Sequence, residues 1–147
     1  MRTTTIGILG VGAIALAGCG GGKTFANRPR PPAPINLTVY ISNSRVSVSP
    51  AAVGAGPVVF IVTNQAARAE SLAVQRKGGS VSIAKTGPIN PQGTAQVTVN
   101  LGRGVYTVAT TATGTTEAAR AATSPIHSAT LVIGRPRPSA SDQLLQP

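Results

Sequence analysis

Tryptophan is absent from the 147-residue chain, and phenylalanine and tyrosine number two each. So few rings exclude a core built on aromatics and leave no set of platforms on which nucleic-acid bases stack. The single Cys excludes an intramolecular disulfide, and one Cys with one His cannot make a zinc site of the usual kind. Asp and Glu total three, too few for paired-carboxylate catalysis to be expected. Asp142 is the only Asp and His127 the only His, so no constellation of nucleophile, base and orienting group is expected either. Charged residues are 11% of the chain against ~25% in ordinary soluble domains, which excludes a coiled coil or a charge-dense disordered chain. The sequence therefore predicts neither an enzyme nor a resident cofactor.

What is abundant is glycine (17), proline (12) and positive charge, with 13 Lys and Arg giving a formal net charge of +10. At this length one domain is expected. Met1-Arg2 precedes an apolar Gly- and Ala-rich run from Ile6 to Ala17, a positive segment and hydrophobic segment of signal-peptide proportions. The run is shorter than the ~20 residues a spanning helix needs. It ends in Leu16-Ala17-Gly18-Cys19, followed by three glycines, and this resembles the lipobox of bacterial lipoproteins. The resemblance implies cleavage after residue 18, a diacylglycerol on the Cys19 thiol, and an extracytoplasmic chain anchored to a membrane at the bacterial cell envelope. More than one acyl chain is needed for firm anchoring, because a single one binds only reversibly. The competing reading is an uncleaved hydrophobic N-terminus with an incidental Cys.

Ala17-Gly18-Cys19-Gly20-Gly21-Gly22-Lys23-Thr24 also fits a relaxed phosphate-loop pattern. Such a loop must open a helix, and Pro29, Pro31 and Pro32 follow too closely for one. Residues 19–34 instead read as the lipidated Cys and a tether, flexible where Gly-rich and extended where Pro-rich. Residues 135–147, opening Arg135-Pro136-Arg137-Pro138, read as a disordered tail.

Residues 35–134 carry a β pattern. Ile35, Leu37, Val39 and Ile41 alternate with Asn36, Thr38, Tyr40 and Ser42, the period of a half-buried strand, and Val46 and Val48 continue it up to Pro50. Val58-Val59-Phe60-Ile61-Val62 reads as a central strand between Gly56-Pro57 and Asn64. Further strands are expected at 71–75, 81–85, 95–101, 105–109 and 129–133, most of them separated by Gly or Pro. The expectation is an all-β antiparallel Greek-key sandwich of seven or eight strands, with at most one short helix, at Glu117–Ala122.

The order of these segments resembles cupredoxin-like domains. Ala55-Gly56-Pro57-Val58-Val59-Phe60-Ile61-Val62-Thr63-Asn64 matches their second and third strands. Pro91-Gln92-Gly93-Thr94 with Gly104-Val105-Tyr106-Thr107-Val108 matches a later segment, and Ser128-Ala129-Thr130-Leu131-Val132-Ile133 the last strand. Copper-bearing members hold the metal with two His, one Cys and a weak axial Met. Carried over, the first His position falls on Glu70, the Cys position on Thr110 and the axial position near His127; residues 111–120, where the second His belongs, contain no His, Cys or Met. The resemblance thus implies the fold without the electron-transfer site, and a non-enzymatic binding or accessory module whose interaction surface is formed by loops 65–71 and 110–126. Two alternatives stand beside it. One is a weak copper or divalent-cation site using Glu70 and His127, against the plainer reading of His127 as a surface side chain. The other is binding of anionic envelope lipids or polymers, or of a protein partner, by the basic residues; nucleic acid is not expected.

Overall fold

In the computed structural model, residues 30–112 and 125–139 are described. Cys19, most of the tether, the expected helix at 117–122 and the last residues of the tail lie outside them. The described chain forms eight strands: β1 (Ile35–Ile41), β2 (Val46–Ser49), β3 (Ala52–Asn64), β4 (Glu70–Arg76), β5 (Ser82–Lys85), β6 (Thr94–Leu101), β7 (Gly104–Ala112) and β8 (Ala129–Pro136). All the strands expected from alternation are present.

β3 organises the molecule because it serves two sheets. From Gly56 onward it lies between β1 and β6, with Phe60 opposite Leu37 on one side and Val97 on the other. Its first residues pair instead with β8, Ala52 opposite Val132 and Ala55 opposite Pro136, with an irregularity between Val53 and Ala55. Gly54 and Gly56 sit at this change of partner, and Gly56 has a φ of 137°. Glycine and a bulge let a strand bend from one sheet into the next. One sheet is therefore β2-β1-β3-β6, and the other runs from the start of β3 through β8, β7 and β4 to β5.

The expectation of a wholly antiparallel arrangement is corrected: β1–β3 and β3–β8 are parallel. β2 folds back on the outer side of β1, so the chain returns to the inner side already running in the direction of β1. Three boundaries also move. β3 starts at Ala52, ahead of the apolar run, β7 continues to Ala112, and β8 ends at Pro136, two residues past the expected domain end.

The alternating residues meet between the sheets. Leu37, Val39 and Ile41 of β1 and Val58, Phe60 and Val62 of β3 pack against Leu72 and Val74 of β4, Val108 of β7, and Leu131 and Ile133 of β8. Phe60 is the largest fully buried side chain. Tyr106 is buried too, and its hydroxyl donates to the Gly102 carbonyl at 2.7 Å, satisfying the one polar group the ring carries inward. Every residue of this core lies between Leu37 and Ile133.

Register defines the two ends. Ile41 lies opposite Asn64, and Glu70 opposite Ala112, at one end. At the other, Gly56 faces Leu101, Arg76 faces Tyr106, and Gly104 faces Ile133.

Candidate functional site

Asn64, the last residue of β3, is fully buried and arranges the first of these ends. Its side-chain amide donates to the carbonyls of Arg68 (2.7 Å) and Ile89 (2.8 Å). Its side-chain oxygen accepts from the backbone N–H of Ala66 at 2.9 Å, the local bond by which Asn closes a turn on itself. Its own backbone is bonded to the 90–93 turn, accepting from Gln92 N–H and donating to the Gly93 carbonyl. A second anchor comes from Asn43, whose side-chain oxygen accepts from Ala67 N–H at 2.8 Å. Loop 65–69 is thus fixed by two asparagines from neighbouring elements, and it delivers the chain to Glu70 in a defined place.

Glu70 opens β4 with its backbone bonded in both directions to Ile89, at 3.1 and 2.9 Å. Its side chain is 4% exposed. Burial pushes its carboxyl pKa above the ordinary value, against the opposing effects of a hydrogen bond from the Thr110 hydroxyl and the nearby charge of Arg68. A buried carboxyl that is only partly compensated favours its neutral form. The two positions that the sequence resemblance assigns to the first His and the Cys, Glu70 and Thr110, are therefore in direct contact across the β4–β7 pair.

His127 is exposed. Its backbone links two segments, accepting from Val46 N–H at 2.8 Å and donating to the Ser44 carbonyl at 2.9 Å. The groups acting on the Glu70 carboxyl are Thr110 and Arg68 rather than His127. Among the described residues no group of three or more His, Cys, Asp or Glu is placed to hold a metal ion. A carboxyl paired to a hydroxyl offers hard oxygen donors, whereas a blue-copper centre needs thiolate and imidazole. Glu70 and Thr110 do not fit that metal. Of the expected loops, 65–71 is seen in full, whereas residues 113–124 lie outside the described residues.

Two arrangements escaped the sequence reading. One is the Asn64 hub, which appeared only as the end of a strand. The other lies at the opposite end, where Arg137 donates to the carbonyls of Ala33, Pro57 and Ala55, and Ser139 donates to the Arg30 carbonyl at 2.7 Å. The end of the tether and the start of the tail are thereby bound together over the first half of β3. Two signals in the sequence point to this clasp: Arg-Pro-Arg-Pro occurs at both 28–31 and 135–138, and Gly54 and Gly56 are spaced to share one face of a strand.

No family model matches the chain, and no curated protein matches it. Among solved structures it is similar to reduced auracyanin from the photosynthetic bacterium Roseiflexus castenholzii, at 11% identity and a TM-score of 0.46, over 69% of this chain and 96% of that one. It is also similar to auracyanin A, a "blue" copper protein of Chloroflexus aurantiacus, at 16% identity and a TM-score of 0.44, over 67% and 99% of the two chains. A third likeness is to the copper-containing nitrite reductase of Thermus scotoductus, at 12% identity and a TM-score of 0.47, over 77% of this chain and 30% of that one.

Proposed function

We propose that the chain is a lipid-anchored, extracytoplasmic protein of cupredoxin-like architecture whose ancestral metal position has become a carboxyl–hydroxyl pair. It acts as a non-enzymatic binding or accessory module at the bacterial cell envelope. The observation that carries this reading is the contact of Glu70 with Thr110, where the resemblance places a His and a Cys. The β4–β7 pair brings these two positions together, and the donors at them are a carboxyl and a hydroxyl. With soft ligands replaced, the end containing loop 65–71 is a surface held rigidly by Asn64 and Asn43. Loops fixed on a sheet framework are where binding surfaces commonly reside.

The anchor is assigned to Cys19, through the lipobox-like Leu16-Ala17-Gly18-Cys19. Expression in a bacterial host with labelled fatty acid should give a labelled, membrane-associated protein, and Cys19→Ala should lose the label. An unlabelled wild-type chain would remove the anchor from the reading. The replacement of the copper donors is tested by copper content after exposure to copper and dialysis. The expected result is no retained metal; a stoichiometric amount would overturn the reading, and its loss in Glu70→Gln or His127→Ala would identify a cation site there.

A further inference from the structure

The described residues include nine Lys and Arg, and they are unevenly placed. Arg45 and Arg68 belong to the Glu70 end, and Lys85 lies opposite Ala73 in the middle of β4. The other six are at the far end. Arg76 ends β4 and Lys77 follows it, with its N–H on the Val105 carbonyl. Arg103 lies in the β6–β7 turn, its carbonyl bonded to the Arg76 guanidinium at 3.0 Å. Arg135 lies near the end of β8 and Arg137 just beyond it, and the clasp brings in Arg30. Glu70, the one acidic residue among those described, is at the opposite end.

This end also exposes aliphatic surface. Val81, beside the Lys77–Ser80 turn, is 76% exposed, the most of any large hydrophobic residue described, and Val105 and Val132 are exposed register partners on adjoining strands. Basic side chains around exposed aliphatics match the boundary of an anionic bilayer, where charge meets headgroups and apolar groups enter the acyl margin. The path of the chain points the same way. Cys19 precedes Arg30 by eleven residues, which fully extended reach at most about 40 Å. Lys23 and Arg28 lie within that stretch. Because Arg137 ties Ala33 to Pro57, the described end of the tether, residues 30–34, is held against this end of the sandwich.

We propose that the end bearing Arg30, Arg76, Lys77, Arg103 and Arg135 is a docking face for an anionic phospholipid surface, so that the sandwich stands with its Glu70 end directed away from the membrane. The proposal rests on the anchor reading for the direction of approach and adds the face, the lipid chemistry and the orientation.

The test uses the full chain on vesicles of phosphatidylcholine, with and without phosphatidylglycerol, and follows amide hydrogen exchange in turns 77–81 and 101–104. The expected result is severalfold slower exchange in both turns on the anionic vesicles alone, with loop 65–69 unchanged, and loss of the effect at high salt. The double variant Lys77→Ser/Arg103→Ser removes two exposed side chains that hold no other element, and should lower the docked fraction's equilibrium about thirtyfold. Association with both vesicle types but equal exchange in the turns overturns docking and leaves the anchor standing. Association with anionic vesicles only, with the turns protected, supports docking and removes the anchor. Association with neither removes both. Equal protection by soluble polyglutamate in the absence of vesicles assigns the face to an acidic protein and overturns the lipid proposal.

Discussion

Glu70 and Asn64 lie a few residues apart and solve the same problem in opposite ways. Both carry polar groups into the interior, where a group without partners costs about 1–3 kcal/mol. Asn64 meets its partners fully, with two carbonyls for its amide and an N–H for its oxygen. Asn64→Ala should therefore destabilise the protein by about 2–4 kcal/mol, measured by denaturant unfolding, and should speed exchange at Ala66. Glu70 is less completely served, and burial raises its folded pKa above the unfolded value. The native state then holds its proton more tightly than the unfolded state does. The stabilising contribution is complete below the ordinary carboxylate range and is lost as pH rises through the folded pKa. Unfolding measured over that range should show falling stability for the wild type, whereas Glu70→Gln, which stays neutral, should lose this part of the pH dependence and be the more stable of the two at neutral pH.

Among the elements, β1 and β6 were legible because hydrophobic alternation is a local property of a strand with one face on a core. The first half of β3 was not. Ala52-Val53-Gly54-Ala55-Gly56-Pro57 reads as a break, since Gly and Pro usually end strands. Here they mark a strand changing sheets. The clasp was missed for a different reason: the repeated Arg-Pro-Arg-Pro and the Gly54–Gly56 spacing mark its parts, but Arg137 reaches carbonyls 80 to 104 residues away, and no local pattern shows that these parts meet. The same long-range character holds for Glu70 and Thr110, whose proximity followed only from resemblance to a known strand order. The clasp makes its own prediction. A Cβ on Gly56 would lie 2.8 Å from both the Arg137 guanidinium and the Pro32 ring, at a φ that side chains avoid. Gly56→Ala should cost about 1–3 kcal/mol, and Arg137→Ala about 2 kcal/mol. Both should accelerate proteolysis at 30–34. Arg137→Lys should not restore the wild type, because one ammonium cannot replace a fork that reaches separate carbonyls.

At the scale of the whole molecule, composition and charge were readable from the sequence while their distribution was not. A net charge of +10 is a sum, and only the topology shows that turns 77–81 and 102–103, the described end of the tether (residues 30–34) and the end of β8 converge on one end. Convergence has an energetic consequence. Like charges held together in the native state repel one another more than they do in the expanded chain, so compactness is opposed electrostatically. Arg76 relieves part of this by donating to the Arg103 carbonyl and lying 5.9 Å over the Tyr106 ring, and Arg137 by its three carbonyls. Neither arrangement supplies a counter-ion. Salt does, shortening the Debye length from ~30 Å at 0.01 M to ~8 Å at 0.15 M. The melting temperature should accordingly rise by a few degrees over that interval, a gain on the order of 1 kcal/mol for a domain of this size. Lys77→Ser/Arg103→Ser should start higher at low salt and rise less. A wild-type melting temperature that fell with salt would mean that attractive pairs, rather than the crowded basic end, dominate the electrostatics of the fold.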